Sequence, residues 1–366
     1  MPRRMNRSRT ARLDTGRSGT SRLNGGWPDT EPSDTARSGR PKAGRSKPGR
    51  LQPGHLQAGH PRSDDALSEV IGFILIIAIL MIFLSLWMVY VVPAEGRQQE
   101  IEHMNYVRTW FTQYKVTADS LWVNHEPNDP YKSLTGVTFS NSLTLGSQGG
   151  ATQAGGLFLP VMSPIGSTGA IAVANQPAAS GGVERIEISK DGAPAVIEFE
   201  MGRLEYDATN HYWIPQSYYY QMGGVFLKQS SGTVARVSPL INFETGGTFI
   251  ALVELAGAGQ VGLSGQGPVR IDTKMTNRTQ SYSLIPAPAT PYSNITIYLE
   301  DANVARGWEN ALKELRFQSG VSSGACTIYR NPTDVVRIDL QGGPEEIQYR
   351  YIYYTISVQS IATGAT

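Results

Sequence analysis

The run VIGFILIIAILMIFLSLWMVYVV, from Val70 to Val92, carries no charged residue, and only Gly72 and Ser85 interrupt its apolar character. As a helix at about 1.5 Å per residue it spans roughly 35 Å, enough to cross a hydrocarbon core of about 30 Å. A helix in the core of a soluble domain would show a polar face at 3.6-residue spacing, and this run has none. Trp87 and Tyr90 stand near one end, where amphipathic rings favour the membrane–water boundary. The segment is therefore expected to be a transmembrane helix, with the rest of the chain divided between its two sides.

The charge divides at the same place. The formal net charge is +1, but before Asp64 Arg and Lys outnumber acids by about ten, and the remainder is acidic by about nine. Positive charge flanking a span is retained in the cytoplasm, so the expected protein is a single-pass cell-membrane protein with a cytoplasmic N-terminus and an extracellular C-terminal domain. Residues 1–63 are rich in Arg, Gly, Ser and Pro and poor in β-branched and aromatic residues, a composition that cannot offset chain entropy and reads as disorder. Three readings stay open for them: a basic arm for nucleic acid, a leader discarded on processing, or a stretch upstream of the true start. Only the isolated Trp27 offers a stacking surface, so nucleic-acid binding is not expected.

The order Asp65-Ala66-Leu67-Ser68-Glu69, followed by a long apolar helix, is not that of an ordinary secretory signal, whose cleavage site follows a short apolar core. It resembles the class III signal of archaeal type IV pilin-like proteins. The resemblance implies a prepilin peptidase as partner, a cut between Ala66 and Leu67 with Asp65 and Ser68 flanking it, and retention of the apolar helix on the mature chain. It further implies that Glu69, then third in that chain, guides assembly with other pilin-like subunits; a cut after Asp64 would make it fifth. Tyr218 to Phe226, YYYQMGGVF, is similar to a Tyr-rich, Gly-bearing strand of large archaeal pilin-like membrane proteins.

Beyond Pro93, Ile101, Met104, Val107, Phe111, Tyr114, Ala118 and Leu121 recur every three or four residues, with Arg97, Glu100, Glu102, Arg108 and Lys115 largely off the stripe. The membrane helix is expected to continue outside as an amphipathic helix, bent or interrupted near Pro93 and Gly96. From Tyr131 short strand-like runs end in Gly, Ser, Asn or Pro. Expected strands are 136–145, 156–162, 170–174, 183–189, 195–201, 224–229, 248–255, 294–300, 335–340 and 347–358, with a helix over 304–317. In the last strand Ile347, Tyr349, Tyr351 and Tyr353 share a face, and its length suits a central position. The Gly-, Ala- and Ser-rich stretch 146–182 reads as loops or an insert.

The expected fold class is thus α+β: a long N-terminal transmembrane and amphipathic helix followed by a mainly antiparallel, β-sandwich-like ectodomain. Its expected divisions are a basic leader (1–66), the span (67–93), the amphipathic helix (94–124) and the β-rich domain (125–366). No catalytic constellation is legible: there is no His-Glu-x-x-His, no nucleophile elbow and no phosphate loop. The expectation is a non-enzyme without cofactor or metal. Cys326, the only cysteine, excludes an intrachain disulfide and reads as a small core residue. The sequons at Asn277 and Asn294 are candidate glycan acceptors on an exported chain. Two functions are compatible with all of this: a pilin-like structural or adhesion subunit, or a membrane-anchored extracellular binding protein that does not polymerise.

Overall fold

The computed structural model describes residues 63–126, 128–129, 131–147, 163–190, 194–284, 293–331, 334–341 and 346–361. Residues 1–62 of the expected leader and the expected strand over 156–162 lie outside them. Helix α1 (Ser63–Leu86) passes through a π-helical turn (Trp87–Val91) into helix α2 (Val92–Val123). The helix continues past Pro93 as expected, and of the expected bend or interruption there the interruption is corrected. Pro93 lacks an N–H and its ring crowds the carbonyl one turn back. A single turn of wider helix just before it, closed by Val92 N–H to the Trp87 carbonyl, absorbs that conflict without ending the helix. Ser85 Oγ donates to the Met81 carbonyl at 2.7 Å, so its hydroxyl needs no outside partner.

The head begins with strands β1 (Thr138–Leu145), β2 (Thr168–Ala174), β3 (Arg185–Lys190), β4 (Ala195–Glu200), β5 (Arg203–Thr209) and β6 (Gln216–Gln221). It continues through β7 (Gly224–Gln229), β8 (Gly232–Val237), β9 (Ile241–Glu244), β10 (Gly247–Gly257), β11 (Gly262–Gly265) and β12 (Gly267–Arg278). After β13 (Tyr282–Leu284) and β14 (Ser293–Tyr298) come helix α3 (Ala302–Gln318) and strands β15 (Cys326–Arg330), β16 (Val335–Leu340) and β17 (Glu346–Ser360). Three sheets result, ordered β1-β12-β17-β10-β9 with β13 also on β17, β11-β2-β5-β6-β7-β8, and β15-β16-β14-β3-β4. Among the described pairings all are antiparallel except β10 with β17. The protein is α+β, with a long apolar helix leading into a mainly antiparallel, sandwich-like domain.

β17 explains why two cores form. Ile347 is buried and Tyr349, Tyr351 and Tyr353 half-buried on one face, as the alternation predicts, against a core shared with α3, β3, β14 and β16. Ile352, Tyr354, Ile356 and Val358 point the other way, into a core shared with α2, β5, β6 and β12. A strand buried on both faces must be central, and β17 pairs with β10 on one side and β12 on the other.

The Tyr-rich segment read as a strand is instead a hairpin. β6 and β7 turn at Met222 and Gly223, both at positive φ (48° and 71°), the backbone of a type I′ turn. A Cβ on Gly223 would stand 2.3 Å from the Leu240 side chain, so glycine is required for space as well as conformation. Helix α3 starts where Asp301 caps it, its carboxylate accepting from the N–H groups of Asn303 and Val304. Its Trp308 stacks on Phe226, which stacks on Tyr219, each pair with centroids 5.0 Å apart. Cys326 is buried in β15.

Candidate functional site

The buried stripe of α2 runs Val92, Gly96, Glu100, Met104, Val107, Trp110, Phe111, Tyr114, Ala118 and Leu121. Two neighbouring positions correct the sequence reading: Ile101, expected on the stripe, is half-buried, and Glu100, expected off it, is fully buried. The loop between β5 and β6 explains it. Three consecutive backbone N–H groups donate to the Glu100 carboxylate: His211 at 2.7 Å, Tyr212 at 2.9 Å and Trp213 at 2.6 Å. A buried carboxylate is tolerable when several such bonds replace its water. One turn earlier, Gly96 lets the Tyr212 ring approach so closely that a Cβ would lie 2.3 Å from it, and Arg97 sits over the Trp213 ring at 5.6 Å. One turn later, His103 Nε2 and Tyr206 Oη are 2.8 Å apart. These contacts fasten the head to the helix immediately after the π turn.

Further along, aromatic side chains carry the attachment. Trp110 Nε1 donates to the Ser142 carbonyl at 2.9 Å and Tyr354 Oη to the Ala118 carbonyl at 2.7 Å. Tyr114 packs between Trp110 and Tyr220, and its hydroxyl lies 3.0 Å from Thr273 Oγ1. The Trp110 and Tyr106 side chains also cover part of the outer edge of β1, blunting a strand edge that would otherwise template pairing. Between α2 and β1 lies an open groove of about 630 Å³, lined by Gln113, Val116, Ser140 and Asn141 among others, none of them charged.

His103 couples this attachment to pH. Burial lowers its pKa to about 4, so it is neutral in the folded clamp. Between that value and the ordinary 6.5 the unfolded chain binds more protons than the folded one, so stability falls as pH drops through this window. His103→Gln should flatten that acid limb of a thermal-unfolding profile; an unchanged limb would locate it elsewhere.

Before α2 the picture inverts. From Leu67 to Tyr90 the large apolar side chains of α1 and the π turn are exposed, Trp87 only in part, and nothing in the most apolar stretch is covered by the head. The residues of the expected processing site, Asp65, Ala66, Leu67 and Ser68, lie in the first two turns of α1, and Glu69 follows them as an exposed side chain. Of the sequons, Asn277 is exposed where β12 shifts register against β17. Asn294 is 3% exposed in β14, an inner strand of its sheet, its amide set between Asp339 and Arg337. His103, His125 and His211 are dispersed, and among the described residues no three His, Cys, Asp or Glu side chains gather as metal ligands would.

Fold and site define a class by shape: one helix long and apolar enough to cross a membrane, whose second half is the core element of its own β-rich head. No family model, curated protein or solved structure matches the chain.

Proposed function

We propose that the chain is a pilin-like surface subunit. It is trimmed by a prepilin peptidase between Ala66 and Leu67, held in the cell membrane through α1, and assembled side by side with similar subunits through that helix. The observation that carries the reading is the division of one unbroken helix into two halves: α2 packs one face into its own head, and from Val70 onward α1 is apolar on every side and, among the described residues, uncovered by the head. A helix of that kind is stable only in lipid or against other apolar helices. The excess of Arg and Lys before Asp64 supports an inward-facing N-terminus and an outward-facing head. On that side Asn277, with its exposed amide, is the better glycan acceptor of the two sequons.

Within a bundle of such helices Glu69 would be a buried carboxylate, costly unless paired. The amine freed at Leu67 of a neighbour supplies the opposite charge, which makes Glu69 a register device. Mass spectrometry of the mature N-terminus tests the processing: a chain beginning at Leu67 is expected, and one retaining residues before Asp64 would overturn it. Glu69→Ala should be trimmed and inserted as usual but yield no filaments, and a normal filament yield removes the register role. Shearing cells separates the alternative, an anchored binding protein, because that protein would stay with the membranes.

A further inference from the structure

At the end of α2 farthest from α1, two arginines sit together without an acid paired to either among the described residues. Arg278 ends β12 and is opposite Ile352 on β17, which places Arg350 diagonally across from it on the same face. Both are half-buried. Arg278 Nη1 donates to the His125 carbonyl at 2.6 Å, and Arg350 Nη2 to Ser281 Oγ at 2.6 Å. Among the described residues each makes that one hydrogen bond and no ion pair, although a guanidinium has five N–H donors. Nε of each is buried without a partner. The acids of the adjoining loop are engaged elsewhere, Glu126 at 3.1 Å and Asp129 at 3.9 Å from Lys132.

A purely structural role would be to neutralise the C-terminal carbonyls of α2. That dipole is worth about half a charge, and two full cations exceed it. Arg350 is held between the rings of Trp122 and Phe249, at 5.9 and 5.8 Å, so the pair is positioned in advance rather than free to swing into solvent. Burial presses both guanidinium pKa values down, and the Arg278 charge adds to the effect on Arg350. His125 stands beside them as a buried, neutral imidazole. Its Nδ1 accepts from Leu134 N–H at 2.8 Å, which leaves the proton on Nε2. Burial and the Arg278 charge lower its pKa as well.

We infer that Arg278 and Arg350 form a binding site for an oxyanion: a phosphate, sulfate or carboxylate group, free or carried on a larger ligand. Such a group supplies the missing charge and takes the idle Nη donors, Arg278 Nη2 and Arg350 Nη1, which unlike the two Nε atoms are not buried. The site is independent of how α1 is used.

The test is thermal unfolding of the full chain in detergent with sodium phosphate, sulfate or acetate, against chloride at equal ionic strength. At about ten times the dissociation constant, the preferred oxyanion should raise the midpoint by roughly 3–5 °C. The three salts distinguish tetrahedral from planar anions. Arg270→Gln, at an exposed arginine paired with Asp272 at 2.7 Å, should keep the rise, and Arg278→Gln and Arg350→Gln should lose it. An equal rise in all variants would reduce it to a general salt effect and overturn the site. Should both variants fail to fold, titration of the His125 ring signals in the unmodified chain decides. A saturable shift with one of the anions supports the site, and no response to any of them overturns it.

Discussion

Glu100→Ala should lower the unfolding midpoint of the full chain by about 10 °C, a loss on the order of 3–5 kcal/mol. The carboxylate is wholly buried and accepts three backbone N–H groups at 2.6–2.9 Å, so removing it leaves the donors of His211, Tyr212 and Trp213 facing a cavity. Glu100→Gln can keep its oxygen on the Tyr212 and Trp213 donors, which share Oε2, but turns its NH₂ toward the His211 N–H, and should fall between the wild type and Glu100→Ala. The damage should be local first. Gly96 against Tyr212 and Arg97 over Trp213 depend on that loop being docked, so amide exchange at 211–213 should accelerate before the β sheets loosen. Unchanged exchange there in Glu100→Ala would mean that the loop is held by other contacts. The proposed function gives the clamp its purpose, since it fixes the head's position on the helix just outside the π turn.

What could be read in advance follows the strength of local pattern. β16 falls on 335–340 as expected, because Val335-Val336-Arg337-Ile338-Asp339-Leu340 is β-branched and bounded by turn residues. Helix α3 was legible from Val304 to Phe317 through its apolar spacing, and the Asp301 cap fixes its start. β12 is missing from the expected strands although Val269, Ile271, Thr273 and Met275 alternate with Arg270, Asp272 and Lys274, the pattern of a strand with one buried face. β5 was hidden because Arg203 and Glu205 are buried, and buried charge violates the pattern by which buried strands are recognised. Glu100 fails in the same way. Its partners lie 111–113 residues away on a loop, and no local spacing announces them. The two arginines of the inferred anion site are 72 residues apart in sequence and meet only through the pairing of β12 with β17.

Arg203→Ala should cost about 3–5 kcal/mol at neutral pH and progressively less as the solution is acidified. Arg203 is 1% exposed and lies over the Tyr219 ring at 4.9 Å. It reaches Glu205 at 2.7 Å, Glu300 at 2.8 Å and, more loosely, Glu184 at 3.6 Å, which ties β5 to the sheet containing β3 and β14. Lys228, 2.7 Å from Glu300, is the second cation of the cluster. Without Arg203, Lys228 remains for Glu300 and, more weakly, Glu205, and the deeper carboxylates must take up protons to stay folded. Glu184 already does so in part: burial raises its pKa to about 7, against the opposing pull of Arg203 and the hydrogen bond from Gln221. Its folded value exceeds the unfolded one, so between about 4.5 and 7 the folded chain holds more protons, and stability falls as pH rises through that window. Removing Arg203 pushes the folded pKa values of Glu184, Glu205 and Glu300 up, so the variant loses stability more steeply than the wild type as pH rises. The deficit of Arg203→Ala should be greatest above pH 7 and narrow toward pH 5, in the sense opposite to the His103 limb. Glu184→Gln should remove the slope, while turning its NH₂ toward one of the two donors, Glu300 N–H or Gln221 Nε2, that the carboxylate accepts. A deficit in Arg203→Ala that stayed constant from pH 5 to 8 would mean that lost packing, not uncompensated charge, is what the substitution removes.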